Sequence, residues 1–288
     1  MTAAALYFAL AFFAAPPTYH AQIEDWRAKR EAALKTDQGW LTVAGLFWLH
    51  AGENPAGNNP DAVVSLPRGA KSIGSFHFEA AGQTTFHPAA GAAIYRSGTP
   101  VKGPVTLKSD DNGATPDVLT YLDFQLLVIK RGARHAVRMR DKNSQMRREF
   151  TGLHWYPVRE DMRFEAKFTT YPQPKTITIP NILNEEEQQK TIGYATFTFQ
   201  GKDYTLEPVV EDDQLFYIFK DSTAGKGTYP AGRFLYSGMP KDGHVILDFN
   251  KAYNPPCAFT PYATCPLPPK QNRLPLRIEA GELSYGHH

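Results

Sequence analysis

The side chains best suited to chemistry lie in two segments of the second half of the chain. The first, Asp221–Arg233, carries a carboxylate, hydroxyls, a phenol and a guanidinium, and the second, Asp248–Asn272, carries a carboxylate and several amides. This mixture suits hydrogen bonding to a sugar or another polyol, and two carboxylates can act as general acid and general base. The sequence therefore predicts one polar pocket. Its candidate catalytic residues are Asp221, Asp248 and His154, and its candidate ligand-binding residues are Arg138, Asp141, Thr223, Tyr229, Arg233, Asn250, Asn254 and Asn272.

The same residue types also have a purely architectural use. Asp and Asn in turns commonly bond their own backbone, and Asp221 stands directly before Ser-Thr, which is typical of a turn. One hypothesis is a hydrolase-like enzyme acting on a carbohydrate or another polar small substrate. The other is a non-enzymatic ligand-binding or extracellular surface-assembly protein. An enzyme requires at least two titratable side chains exposed in one concave pocket, whereas a structural clasp requires them buried and bonded to backbone.

A run of arginines in the first half is a second candidate for ligand binding. In the strand predicted there, Arg134, Arg138 and Arg140 share one face. Same-face neighbours in a strand lie about 7 Å apart, so the guanidinium groups repel one another unless carboxylates or an anionic ligand neutralise them. The face is either an anion site for a carboxylate, phosphate or sulfate, or an outward strand face paired with protein acids such as Glu149 or Glu165.

Both cysteines lie in the proline-rich, almost uncharged stretch Asp248–Pro269, which cannot form a helix or a central strand. Cys257 and Cys265 match no standard zinc spacing, and a disulfide is the default in an exported chain. Free buried thiols, or a catalytic thiol activated by His244 or His154, are the alternatives. The stretch is either a structural clasp or one wall of a site.

Other cofactor and catalytic signatures are missing from the sequence. It contains no phosphate-binding loop, no dinucleotide fingerprint, no HExxH metal motif and no GxSxG elbow. We therefore expect neither a cofactor nor a metal. The expected partner is a carbohydrate or an anionic small molecule.

Alternating hydrophobicity predicts a mainly β fold. Period-two patterns around Phe76, Phe164 and Val245, with turn residues about every 8–12 positions, are typical of a sandwich or barrel. We expect two packed antiparallel β-subdomains. The first is a sandwich-like unit at residues 40–150, and the second, at residues 151–288, carries the Pro/Cys stretch.

A short amphipathic helix is predicted at residues 22–39, with Ile23 and Leu34 on its apolar side and Gly39 as its stop. It would pack against the core of the sheets. The only other helical hint, Asn184–Lys190, is highly polar and is expected to be an exposed loop or a single turn.

The amino terminus predicts export. Residues 1–21 contain an apolar run, Ala3–Ala15, which is about as long as a signal-peptide core and too short to span a bilayer. Cleavage near Ala15 or Ala21 would give a periplasmic or extracellular protein, whereas the alternative is a buried N-terminal helix. The net charge of +2 argues against a nucleic-acid partner. We expect no stable membrane span, and the sequence makes no prediction about oligomeric state.

Several motifs together resemble the bacterial domain-of-unknown-function family sixteen eighty-four. They are GWLTVAGLFWL at Gly39–Leu49, RGARHAVRMRD at Arg131–Asp141, FTGLHWYPV at Phe150–Val158, KDSTAGKGTYPAGRFL at Lys220–Leu235, DFNKAYNPPCAFTPYATCPLPPKQNRL at Asp248–Leu274 and IEAGE at Ile278–Glu282. The resemblance covers nearly the whole chain after the predicted signal. It implies no catalytic residues, because that family has no established function.

A shorter stretch, Gly52–Pro67, resembles the opening of a forkhead-associated domain, a β-sandwich whose loops bind phosphothreonine. The Gly-Arg pair that those domains present to phosphate is replaced here by Gly57-Asn58, and the downstream Ser-x-x-His is absent. The resemblance implies a sandwich-like fold and gives no support to phosphopeptide binding.

Overall fold

The computed structural model describes residues 17–286, and most of its regular structure is β. Its α-helices are α1 (Tyr19–Lys35) and α2 (Gln145–Arg148). Its strands are β1 (Val43–Trp48), β2 (Gly52–Gly57), β3 (Val64–Ser65), β4 (Gly74–Phe78), β5 (Thr84–Pro88), β6 (Tyr95–Arg96), β7 (Thr99–Pro100), β8 (Val105–Leu107), β9 (Val118–Tyr121), β10 (Phe124–Arg131), β11 (Arg134–Asp141), β12 (Arg163–Pro180), β13 (Glu186–Phe199), β14 (Lys202–Leu206), β15 (Val209–Glu211), β16 (Gln214–Phe219), β17 (Arg233–Gly238) and β18 (His244–Asp248). The predicted signal core, Ala3–Ala15, lies outside the described residues.

The strands of the described region form four sheets. A six-stranded sheet has the order β1-β11-β10-β9-β6-β7, and a five-stranded sheet has the order β3-β2-β4-β5-β8. Later in the chain come a four-stranded sheet, β14-β13-β12-β18, and a three-stranded sheet, β15-β16-β17. Neighbouring strands pair antiparallel except β2 and β3, which are parallel. The predicted mainly β, antiparallel fold with an N-terminal helix is confirmed, and the division at residue 150 stays a prediction.

The apolar side chains of these strands pack into separate cores. One core joins the six- and five-stranded sheets through residues such as Phe76, Phe86 and Val137. A second core fills the later sheets and contains Phe197 and Leu247. The third joins helix α1, the three-stranded sheet and the Pro/Cys stretch, and it contains Leu34, Leu41, Ile218, Phe234, Cys257 and Cys265. Because burial of apolar surface is the main favourable term in folding, this third core holds three otherwise separate elements together.

Helix α1 begins and ends earlier than the sequence predicts. The Thr18 hydroxyl caps its first turn by accepting from the Ala21 amide at 3.3 Å, which is the usual role of threonine at this position. The helix ends at Lys35, and the chain then turns so tightly that a Cβ atom at Gly39 would lie 2.1 Å from the Leu34 carbonyl oxygen. Gly39 is therefore needed for a close backbone approach after the helix, not for the helix cap itself.

The prediction of a loop at Asn184–Lys190 is wrong. Residues from Glu186 onward form the start of β13 and pair with the end of β12, with Thr178 opposite Gln188. These two side chains hydrogen-bond at 3.0 Å. Polar residues on both faces removed the alternation that marks a half-buried strand, but they leave the backbone free to pair. The result is a polar two-stranded arm.

No helix in residues 17–286 is both long enough and apolar enough to cross a bilayer.

Candidate functional site

Asp221, Thr223 and Arg233 form one buried cluster. Arg233 is 1% exposed. Its guanidinium donates to Asp221 Oδ1 at 3.1 Å, to the Ile278 carbonyl at 2.9 Å and to the Ala280 carbonyl. Asp221 Oδ2 accepts from the Thr223 hydroxyl at 2.7 Å and from the Ile278 amide at 2.8 Å. Burial lowers the pKa of the Arg233 guanidinium, and Asp221 opposes that shift. The cluster ties the carboxyl-terminal stretch to the loop before β17.

Asp248 and Asn250 hold the start of helix α1. Asp248 Oδ1 accepts from the Tyr19 hydroxyl at 2.8 Å and from the Asn250 amide at 3.2 Å. The Asn250 side chain bonds both backbone groups of Arg159, donating at 2.7 Å and accepting at 2.9 Å. Burial and Asp248 raise the pKa of the Tyr19 phenol. Asp248 also borders a cavity of about 590 Å³.

The two asparagines that flank the cysteines bond to protein groups in the same way. Asn254 donates to Glu282 Oε1 at 2.8 Å and to a backbone carbonyl at 2.7 Å. Asn272 accepts from the Glu207 amide at 2.8 Å and donates to the Glu207 carbonyl at 2.8 Å. Both asparagines are buried. They fasten irregular chain to its neighbours, which is how buried irregular backbone meets its hydrogen-bonding requirement.

The remaining predicted site residues lie apart from these clusters. Arg138 and Asp141 are three positions apart in β11 and so point to opposite faces. Asp141 accepts a two-pronged bond from Arg68, at 2.6 and 2.7 Å. Tyr229 belongs to the third core, and His154 is exposed. The structure therefore distributes the predicted residues over separate groups, and their catalytic or ligand-binding roles stay predictions.

Cys257 and Cys265 form a disulfide, as the sequence predicts. The stretch around them clasps neighbouring chain and also borders a cavity. Its asparagines clasp neighbouring chain, while Tyr253, Pro256 and Cys265, with the adjoining Thr264 and Pro266, line one wall of a cavity.

This cavity has a volume of about 1000 Å³. It is bordered by the Pro/Cys stretch, the end of β10, the polar arm of β12 and β13, and the three-stranded sheet. Aromatic rings form much of its wall: Trp40, Phe216, Phe234, Tyr236 and Tyr253. The Tyr236 ring stacks on Phe216 with centroids 4.7 Å apart, and it lies parallel to Tyr253 within 11° at 6.4 Å. We call this row the aromatic wall.

Charged groups complete the cavity lining, and several are already paired. Asp110 bonds Arg131 at 2.9 Å, and Asp111 bonds Lys130 at 2.8 Å. The other polar side chains along the cavity are Arg30, Glu187, Gln188, Gln189, Glu211, Asp212 and Thr264. The cavity thus offers carboxylates, amides and hydroxyls beside ring faces.

Two contacts fix the ends of the aromatic wall. The Tyr236 hydroxyl donates to the Glu211 carboxylate. Burial raises the pKa of both phenols, that of Tyr253 to about 12 and that of Tyr236 further, so both remain donors at neutral pH. At the other end, the Arg30 guanidinium lies 4.5 Å from the Tyr253 ring centroid, within the range of a cation–π contact. Arg30 Nε lies 3.6 Å from Oε2 of the buried Glu282.

The arginine face of β11 divides into two kinds of residue. Arg134 pairs with Glu185 at 2.8 Å and lies over the Trp48 ring. Arg138 and Arg140 have no ion pair with any carboxylate of residues 17–286, and buried nitrogens of both lack an acceptor there. Neither Glu149 nor Glu165 serves as the partner that the sequence offered for this face. Pairing with a protein acid therefore holds for Arg134, and the anion site at Arg138 and Arg140 stays a prediction.

Sequence reasoning missed the aromatic wall. Tyr236 lies in an apolar strand and Tyr253 lies between charged and amide side chains, so both look like ordinary packing residues. Both tyrosines meet Arg30 only because helix α1, more than 200 positions earlier in the chain, packs into the same core. The one signal in the sequence is the alternation in β17, which places Phe234 and Tyr236 on one face.

No group of three or more His, Cys, Asp or Glu side chains suited to a metal ion is found in residues 17–286.

The comparisons with known proteins agree with the motifs of the second half of the chain, and the motifs at Gly39–Leu49 and Arg131–Asp141 lie outside the matched region. The model of a family described as a protein of unknown function (DUF1684) matches residues 148–283. A solution NMR structure of an uncharacterized protein from Haloarcula marismortui is similar to part of this chain, with 30% sequence identity and a TM-score of 0.41. The matched region covers 49% of this chain and 81% of the Haloarcula protein. No curated protein matches. The family resemblance is therefore shown for residues 148–283.

Proposed function

We propose that this chain is an exported protein, periplasmic or extracellular, that binds a saccharide or a similar hydroxyl-rich ligand in the cavity of about 1000 Å³. The observation that carries the proposal is the aromatic wall beside carboxylates and amides. Sugar rings have apolar faces that pack on aromatic rings and hydroxyls that bond polar side chains. Clefts with this combination, at the junction of several elements, are the usual form of small-ligand sites.

The hydrogen-bonding state of the predicted catalytic residues favours binding over hydrolysis. Asp221 is buried and bonded to Arg233, Thr223 and backbone. Asp248 is engaged by Tyr19 and Asn250. A general acid or base must reach the proton it transfers. Both oxygens of Asp221 are committed to structural partners, whereas Asp248 uses Oδ1 for such bonds and its Oδ2 lies 4.0 Å from Lys251 Nζ.

Hydrolysis in the cavity is the second candidate, because several carboxylates line it. Glu211 is exposed and lies at the end of the aromatic wall, where it accepts from Tyr236, and Glu187 lines the same cavity. If the protein is a hydrolase, Glu211→Gln should abolish product release from an oligosaccharide without preventing binding.

Export is supported by the disulfide, and the contacts of Tyr19 constrain where a signal peptide would be cleaved. A disulfide is typical of proteins outside the reducing cytosol. Helix α1 begins at Tyr19, and that phenol bonds Asp248 and Asn250. Cleavage near Ala15 would keep this contact, whereas cleavage at Ala21 would remove it. We therefore expect the secreted protein to begin between Pro16 and Thr18, as intact mass would report, and an intact Met1 would contradict export by cleavage.

Calorimetric titration with a panel of uncharged oligosaccharides tests the binding proposal. We expect at least one to bind, and Tyr253→Ala to weaken it about tenfold, because a ring contact contributes about 0.5–1.5 kcal/mol beyond its buried area and about 1.4 kcal/mol is tenfold. The matched control is Tyr95→Ala, which removes an exposed ring outside the cavity. Equal affinity in both variants, or no binding across the panel, would contradict the proposal.

A further inference from the structure

Three arginines are buried in the described region, and one of them differs from the others. Arg27 donates to Glu24 at 3.1 Å and to a backbone carbonyl at 2.8 Å. Arg233 donates to Asp221 and to two backbone carbonyls. Arg138 is 5% exposed, yet its guanidinium donates to no residue within 17–286, and Nε and Nη2 are buried without an acceptor. Only Arg138 lacks a protein counter-ion and a hydrogen-bond acceptor.

The surroundings of Arg138 do not compensate for this deficit. Its guanidinium carbon lies 5.0 Å from the centroid of the Trp40 ring. The charges of Arg131 and Arg140 act against it, and Asp110 attracts it. Both oxygens of Asp110 are already used, one by Arg131 at 2.9 Å and the other by a backbone amide at 2.8 Å.

The guanidinium nevertheless remains charged. Burial lowers the pKa of Arg138 to about 10, which is still well above neutral pH. A charge removed from water requires a partner, and an uncompensated one strongly disfavours the folded state. Arg140, two positions along the same strand face, also has a buried Nε without an acceptor.

We propose that Arg138 and Arg140 form a binding site for an oxyanion (a carboxylate, sulfate or phosphate) beside Trp40, at the edge of the cavity. Guanidinium groups match such anions because their planar N–H pairs bond two oxygens at once. Trp40 both lines the cavity and lies 5.0 Å, by its ring centroid, from the Arg138 guanidinium carbon.

The oxyanion site rests on the unpartnered nitrogens of Arg138 and Arg140 and does not depend on the proposed saccharide binding. If both proposals hold, the anion is an acidic group of the saccharide, and a uronic acid or a sugar phosphate is the ligand class. If only this one holds, the ligand is an inorganic or small organic anion.

The test is thermal unfolding of the whole protein in rising sulfate or phosphate, with ionic strength held constant by chloride. We expect the midpoint temperature of the wild type to rise, because a ligand that binds only the folded state stabilises it. Arg138→Met should abolish the rise. It should also melt at or above the wild-type temperature without anion, because it removes an unpartnered buried charge.

Arg134→Met is the matched control, because Arg134 lies on the same strand and face but is paired with Glu185. It should keep the full anion response. If Arg138→Met does not fold, Arg138→Gln and the anion-dependent fluorescence of Trp40, compared with Trp40→Phe, provide the same test. A wild-type midpoint that does not respond, or an equal response in the Arg138 variant, overturns the proposal.

A second experiment identifies the source of the anion. Galacturonate should bind more tightly than acetate if the oxyanion belongs to a sugar, and equally if it does not. Failure of uncharged oligosaccharides to bind, together with galacturonate that binds no more tightly than acetate, overturns the saccharide proposal alone. An anion response that is independent of Arg138 overturns the oxyanion site alone.

Discussion

Strand β17 separates two regions with opposite character. Its odd positions, Arg233 and Leu235, face the bonded cluster and the second core, whereas Phe234 and Tyr236 face the third core and the aromatic wall. On the first face every carboxylate oxygen of Asp221 has a donor. On the second, Tyr236 and Tyr253 are half-buried beside open space. We infer from this difference that charged residues paired within the protein mark architecture, whereas half-exposed ring faces beside open space mark a candidate site.

The largest effect is expected from breaking the buried Asp221–Arg233 pair. Asp221→Ala leaves Arg233 buried without its carboxylate, and breaking a buried ion pair in this way typically costs about 3–5 kcal/mol. We expect a loss of that order in the free energy of unfolding, measured by denaturant titration. The control is Asp161→Ala, which removes a surface partner of Arg159. If the two variants lose similar stability, the cluster is not the clasp described above.

The second prediction concerns Glu282, a fully buried carboxylate that is incompletely bonded. Burial raises its pKa from 4.5 to about 7, with Arg30 opposing the shift. The folded protein therefore holds a proton that the unfolded chain releases between about pH 4.5 and 7. The contribution of Glu282 to the free energy of unfolding is therefore fully present below about pH 4.5 and is lost as the pH rises towards 7.

Glu282→Gln should remove this loss. Relative to wild type, the variant should gain up to about 3 kcal/mol between pH 4.5 and 8, at about 1.36 kcal/mol per pKa unit. Denaturant titrations across this range measure the difference. Glu279→Gln, an exposed carboxylate paired with Arg277, is the control. Parallel pH profiles for wild type and Glu282→Gln would rule out the buried proton.

The third prediction separates the clasp role of the Pro/Cys stretch from its wall role. Replacing Cys257 and Cys265 by serine opens a short ring and should cost about 2–3 kcal/mol on the chain-entropy model. At about 2–4 °C per kcal/mol, the midpoint temperature should fall by several degrees. Ligand affinity at a temperature where the variant is folded should change little. A stable variant that fails to bind would instead place the disulfide in the site.

The smallest effect is expected on the exposed part of the arginine face. Arg134→Gln breaks the pair with Glu185, and exposed pairs contribute only about 0–1 kcal/mol. Denaturant titration should therefore barely distinguish it from wild type. A loss above about 2 kcal/mol would show that this arginine, too, has a buried structural role.

The sequence was sufficient for the fold class because alternation reports which face of a strand is buried. Phe76 and Val245 lie in strands β4 and β18 as predicted, and the cysteine pairing followed from compartment and spacing. The arm at Glu186–Lys190 was missed because exposed strands with two polar faces have no such alternation.

The candidate site was harder to predict because its parts meet only through tertiary packing. Asp221 and Asp248 were selected for their chemistry, but both oxygens of Asp221 and Oδ1 of Asp248 are used by neighbouring protein groups. The distinction between Arg134 and Arg138 depends on whether Glu185 reaches one of them, and strand periodicity carries no information about that. Residue type predicted what these groups can do, whereas burial and partners determine what they are free to do.

The contacts of Arg233 also constrain the order of events during synthesis. Its carbonyl acceptors lie 45 and 47 positions later in the chain, at Ile278 and Ala280. Domains usually fold from the amino terminus as the chain emerges, but a nascent chain that ends soon after β17 has not yet made these acceptors. The buried bonds of Arg233 can therefore be completed only after translation has passed Ala280, so the last step in forming this cluster falls near the end of synthesis.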